Sequence, residues 1–163
     1  LERGHRRLGL IGTQPPTSRT NTLRVQGYAE ACREAGHPLQ LTRVELLETR
    51  TLLYAAVKRV IDEGADAIFL PGQQKLAVEA AHIIQKMLGL KIPADISLIG
   101  GENPGWSELL DPPLTTATAP FQELAELSVT HMLDLVANRP RQTTEMIMPT
   151  TIMERKSVAL RTK

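Results

Sequence analysis

The chain has 163 residues, 42% of them hydrophobic, which suffices for one ordinary globular domain with a real core. A formal net charge of +1 gives no global field toward DNA or a membrane surface, and 3% aromatic content is low for a surface that stacks bases or sugars. Cys32 is the sole cysteine, so no internal disulfide forms, and no apolar run reaches the length of a membrane span.

In chain order the sequence alternates. Residues 7–12 read as a first buried strand closed by Gly12. Residues 13–21, with Pro15 and Pro16, read as a loop. The spacing of Val25, Tyr28, Ala29 and Cys32 predicts a helix over 22–35, stopped by Gly36. A second strand follows at 39–44. A second helix spans 51–63, with Leu53, Ala56, Val57, Val60 and Ile61 inward and Gly64 as its cap. Residues 67–70 form a third strand ended by Pro71-Gly72. A third helix over 74–88 turns Leu76, Ala80, Ile83 and Met87 to the core. Ile96, Leu98 and Ile99 make a fourth strand, ended by Gly100-Gly101, which let the backbone turn sharply. Asp111-Pro112-Pro113 stiffens the exit into an extended piece at 114–116. An amphipathic helix over 121–137 carries Ala125, Val129, Met132 and Val136 on one stripe, widened by Leu124 and Leu135. Residues 145–152 read as an edge strand interrupted by Pro149, and the tail from Met153 to Ala159 as a short last strand.

This β-α-β-α-β-α-β order implies an α/β fold, a Rossmann-like doubly wound parallel sheet with helices on both faces. Right-handed crossovers bring the loops after successive strands to one rim. Three of those loops carry polar groups able to converge, at 13–24, 72–75 and 102–106. In open α/β sheets that rim is where ligands bind.

Four short segments resemble the lactose/galactose repressor family. The opening Gly4-His5-Arg6-Arg7-Leu8-Gly9-Leu10-Ile11-Gly12 looks like the start of the second lobe of its effector-binding core. Arg24-Val25-Gln26-Gly27-Tyr28 looks like its Arg-x-x-Gly-aromatic helix start. Lys91 to Gly101, then Pro112-Pro113-Leu114-Thr115-Thr116, resembles its fourth strand and exit. Glu154-Arg155-Lys156-Ser157-Val158 resembles its Arg-x-Ser finish. Their order and spacing together make the match.

The resemblance implies a periplasmic-binding-protein-like lobe. Residues 1–113 would be the C-terminal lobe of an effector-binding domain. Residues 114–140 would be a crossing strand and helix that normally belong to the first lobe, and 141–163 an extended tail returning to the C-terminal lobe. A small-molecule effector, a sugar or sugar derivative, would bind and modulate operator binding. Operator DNA would be contacted only through an N-terminal helix-turn-helix, which this chain does not contain. The chain would be cytoplasmic, with no membrane partner and no cofactor. Without its usual cover, the stripe of Phe121, Leu124, Val129 and Met132 would favour a homodimer or higher oligomer. A solute-binding protein of a sugar transporter, which shares the fold, is the alternative.

The ligand-binding candidates are Arg24, Glu102, Thr13, Arg19, Gln73 and Trp106. Arg24 matches the arginine that grips the effector in relatives, and its planar fork suits hydroxyl pairs or a carboxylate. Its bland alternative is a solvated arginine in a helix's first turn. Glu102 stands where relatives carry an effector-binding aspartate; otherwise it is a surface carboxylate. Thr13 and Arg19 share one loop system. Trp106 either stacks on a ligand or packs on Leu109 and Leu110. The chain departs from the family at Gly72-Gln73, where relatives carry Asn-Asp, and at Glu48, where many place an aromatic. Those losses fit either an altered effector, such as a sugar acid, a phosphorylated sugar or a non-sugar metabolite, or a lost effector response.

No enzyme is expected. The sequence has no Gly-x-Ser-x-Gly elbow, phosphate-binding Gly-x-x-x-x-Gly-Lys or His-Glu-x-x-His. His5, His37, His82 and His131 are scattered, so neither a catalytic residue nor a metal ligand is assigned.

Overall fold

A computed structural model describes residues 3–14, 19–36, 40–45, 49–72, 74–101, 105–139 and 145–161. The elements run β1 (Leu8–Gln14), α1 (Arg19–Glu34), β2 (Gln40–Glu45), α2 (Arg50–Asp62), β3 (Ala67–Leu70), α3 (Gln74–His82), β4 (Ser97–Gly101), β5 (Thr115–Thr118), α4 (Phe121–Val136) and β6 (Thr151–Met153). They form one six-stranded sheet in the order β2-β1-β3-β4-β5-β6. The first five strands are parallel, and β6 runs antiparallel along the edge of β5. The doubly wound α/β sheet expected from the alternation is therefore present.

The helix–sheet core explains the apolar pattern. Leu53, Ala56, Val57 and Val60 of α2 and Leu76, Ala77 and Ala80 of α3 pack with Ile11, Ile68, Leu70, Leu98 and Leu114 of the sheet. Close approach depends on small residues. A Cβ on Gly9 would stand 2.1 Å from Val60 Cγ1, and one on Gly100 would stand 2.8 Å from Ala77 Cβ and 3.0 Å from Leu114 Cδ2. Alternation along the strands turns Leu8, Phe69 and Ile99 to the opposite face.

Several boundaries differ from the sequence reading. Residues 13 and 14 extend β1 instead of opening a loop, because parallel pairing with Val44 and Glu45 continues to the end of β2. The first helix starts at Arg19, three residues early, so Arg19 is helical and not in a loop. Met87 is exposed, not inward. The third helix widens into a π-helical turn at Ile83–Met87. The extra residue per turn rotates Met87 away from the stripe that buries Ile83. The edge strand lies after Pro149, at Thr151–Met153, so the proline precedes it and does not interrupt it. Beyond Met153 the tail forms no strand and is held by side chains together with isolated backbone hydrogen bonds, Lys156 N–H to the Pro113 carbonyl and Arg161 N–H to the Arg3 carbonyl among them.

Hydroxyls carry part of that attachment. Ser157 Oγ donates to the Leu98 carbonyl at 2.6 Å and accepts from the Thr115 amide at 2.8 Å. The Leu98 amide donates to the Ser157 carbonyl at 2.9 Å. Ser97 Oγ accepts from the Ala159 amide at 3.0 Å and lies 2.8 Å from His5 Nε2. The Ser97 hydroxyl can both donate and accept, so the direction of the His5 contact is set by the ring tautomer. His5, Ser97 and Ser157 are all buried. Burial lowers the His5 pKa, Asp66 works against that shift, and the positive charges of Arg161 and Arg3 add to it.

α4 contrasts with this wiring. None of its residues is buried, and Phe121, Leu124, Leu127, Val129, Met132, Leu133, Leu135 and Val136 are exposed. Its chain leaves the sheet through β5 and returns through β6.

Two outcomes follow for stability. Gly100→Ala is expected to cost about 1–3 kcal/mol in urea unfolding, because both neighbours are packed, whereas Gly12→Ala, with nothing near its Cβ, stays within about 0.5 kcal/mol. The folded His5 pKa lies below the usual 6.5, so the unfolded chain takes up a proton first as pH falls. The His5 contribution is thus intact above pH 6.5 and is lost below it, by at most roughly 1.4 kcal/mol per pH unit. His5→Gln should remove that slope in unfolding curves measured from pH 8 to pH 5.

Candidate functional site

The parallel strands β1, β3 and β4 all end at one rim. Arg24 stands in the second turn of α1, the helix that follows β1, and its side chain is exposed. Its Nη1 donates to Asn21 Oδ1 at 3.4 Å, a long contact that restrains the guanidinium only weakly. The same nitrogen lies 3.5 Å from the place a Cβ on Gly72 would occupy. The Gly72 carbonyl oxygen in turn lies 2.7 Å from the place a Cβ on Gly101 would occupy. A chain of close approaches therefore runs from Arg24 across the end of β3 to the end of β4. It requires glycine at both positions: at 101 the Gly72 backbone blocks any side chain, and at 72 the φ of +118° disfavours one.

The other candidates take different places. Glu102 follows Gly101 directly and Gln73 follows Gly72; both lie outside the described residues. Thr13 stands near the end of β1, paired with Val44. Arg19 opens α1 and is exposed. Trp106 lies on a turn at 105–109 and is 61% exposed, and its carbonyl accepts from the Leu109 amide at 3.1 Å. Asn21 was not singled out by the sequence. Its signal is the three-residue spacing to Arg24, which acquires meaning only once the helix is known to begin at Arg19.

The first turns of α1 and α3 contain no acidic residue. Arg19 and Lys75 stand there, Lys75 Nζ lying 3.7 Å from Glu79 Oε1. Helix N-termini of this kind offer amide donors and a partial positive charge. The rim can thus receive a ligand rich in acceptor oxygens, with the Arg24 guanidinium near the glycine seam. Among the described residues no group of three His, Cys, Asp or Glu side chains could hold a metal ion.

A concavity lies elsewhere. A hollow of about 490 Å³ opens on the sheet face away from α2 and α3, with Leu8, Tyr28, Phe69, Ile99 and Thr115 in its wall. Arg24, Gly72 and Trp106 do not line it.

The fold and rim define a class of ligand-binding lobe. A family model for the periplasmic binding protein-like domain matches residues 1–158. The chain belongs to that family, in the form carried by regulators of the lactose/galactose repressor type. It is 29% identical over 162 residues to the HTH-type transcriptional repressor PurR of Edwardsiella ictaluri, covering 98% of this chain and 47% of the relative. It is 27% identical over 169 residues to a protein of Rhizobium rhizogenes named "Probable opine utilization operon repressor", covering 96% and 83%. A solved LacI family transcriptional regulator from Enterococcus faecium with bound ribose superposes with a TM-score of 0.84 at 25% identity, covering 99% of this chain and 59% of that one. The chain spans about half the length of the PurR relative it matches.

Proposed function

We propose that this chain is the effector-sensing lobe of a DNA-binding transcriptional regulator. A small metabolite binds at the rim where β1, β3 and β4 end, and changes operator affinity in the whole protein. The approach of the Arg24 guanidinium to Gly72, and of Gly72 to Gly101, is the observation that carries the reading. Arg24 grips acceptor oxygens of the ligand, and Glu102 takes its hydroxyl or amino groups. Thr13, Arg19, Gln73 and Trp106 complete the rim. Such a ligand is a sugar or sugar derivative, and the relatives' names, which mention ribose and opine utilization, support that range.

Within the same reading, residues 1–113 form the C-terminal lobe and 114–140 the crossing strand and helix toward a first lobe. Residues 141–163 return as the tail. The exposed apolar face of α4 supports that assignment. Operator contact belongs to a helix-turn-helix elsewhere in the whole protein, which acts in the cytoplasm as a homodimer or higher oligomer. The lobe performs no covalent chemistry. Binding instead shifts the balance between two lobe orientations. A transporter's solute-binding protein would share the fold, but the regulator relatives favour the first reading.

The test is a thermal-shift and calorimetric screen of full-length protein against ribose, sugar acids and opines. A true effector raises the melting temperature by several degrees at saturation. Arg24→Ala weakens its binding by roughly 10- to 100-fold, as expected for loss of a charge-assisted hydrogen-bonding fork. A ligand that binds Arg24→Ala as tightly as wild type would move the site away from the rim.

A further inference from the structure

The chain leaves the wound sheet through β5 and returns through β6, and those two strands are antiparallel neighbours. Thr116 faces Met153, Ala117 faces Ile152 and Thr118 faces Thr151. Between them, beyond the sheet, lies α4, with no buried residue. β5 and β6 thus anchor the two ends of the α4 excursion to the sheet.

One side chain ties the root together. Arg155 follows β6 by two residues, and its side chain is only 13% exposed. Its Nη1 donates to the Leu114 carbonyl and to Thr116 Oγ1, each at 2.9 Å. Its Nη2 donates to Glu108 Oε1 at 3.3 Å, and its backbone amide donates to Thr115 Oγ1 at 3.0 Å. Through its guanidinium and its backbone amide, Arg155 thus grips the outgoing chain at three successive residues, 114, 115 and 116. The same guanidinium reaches Glu108 in the segment that follows β4, and β4 ends at the rim beside Gly72. Three parts meet on one planar group: the loop leading from the rim, the strand going out and the strand coming back. A guanidinium holds several acceptors in fixed directions, whereas an ammonium does not.

We propose that Arg155 is a positioning residue that fixes the angle at which the α4 arm leaves the sheet and couples that angle to the loop following β4. It touches no ligand. It acts through Glu108 and β5. Its link to effector response rests on the reading given under Proposed function, while its hold on the arm does not.

The experiment uses full-length protein with spin labels at Ala55→Cys on α2 and Glu123→Cys on α4, in a Cys32→Ala background, and reads the distance distribution by pulsed electron resonance. Without any ligand, Arg155→Lys is expected to broaden the wild-type distribution about twofold. Thr116→Val, which removes one acceptor at nearly constant volume, is expected to broaden it less. Melting curves verify that each variant is folded, and Thr116→Val carries the test if Arg155→Lys does not fold. Unchanged widths in the folded variants would overturn the proposal. With ribose as the probe, a wild-type distribution that shifts while the Arg155→Lys distribution stays broad and unshifted, at a ribose Kd within about threefold of wild type, supports the coupling. A shift of equal size in both proteins overturns the coupling. A wild-type distribution that ribose leaves unmoved counts against the sugar reading of the site, and the ligand-free widths still decide the role of Arg155.

Discussion

The structure depends on a seam of backbone contacts at the rim of the sheet. The Gly72 backbone lies so close to Gly101 that no side chain fits at 101, the φ of +118° disfavours one at 72, and Arg24 lies over Gly72. That seam exists because β1, β3 and β4 run parallel and end together. Parallel strands are usually joined by crossover helices, and here β1, β2 and β3 are each followed by a helix start. Helix starts present unsatisfied amide donors. Geometry of this kind gathers donors, a cation and open backbone at one place without any dedicated architecture. The rest of the molecule maintains it: α2 and α3 cover one face, and the tail sews β4 to β5 through Ser97 and Ser157.

Much of this was legible in the sequence for simple reasons. Alternating apolar runs bounded by glycine give the strand and helix order, because burial on both faces makes a parallel strand continuously apolar. Cys32, Val57, Val60, Ile83 and Leu98 all fall where periodicity puts them, in the core. Other features had no local signal. The π turn at Ile83–Met87 changes the helical period without changing composition, so Met87 is misplaced by any reading that assumes 3.6 residues per turn. The start of α1 at Arg19 is obscured because Arg19, Thr20 and Asn21 are polar in either a loop or a helix face. The tail was expected as a strand, and its attachment instead combines isolated backbone bonds with hydroxyl contacts 39 to 62 residues apart in sequence. Long-range polar pairing of that kind leaves no periodic trace.

The candidate rim was legible only in part. Arg24 and the glycines at 72 and 101 could be named from the sequence, but the approach between them could not, since it depends on strand register. Arg155 drew notice only as part of a short terminal resemblance. Its place at the root of β5 and β6 comes from tertiary structure, which alone shows that the outgoing and returning chains are neighbours. Two halves of one device thus differ in how they are encoded. The rim is written in strand order and glycine placement, and the root in a few side chains far apart in sequence.

The most direct test is a crystal structure of the full-length protein grown with whichever metabolite the binding screen selects. Ligand density within hydrogen-bond distance of the Arg24 guanidinium, lying over the Gly72–Gly101 seam, is the predicted result. Density confined to the hollow on the opposite face, against Phe69 and Ile99 and remote from Arg24, would contradict it.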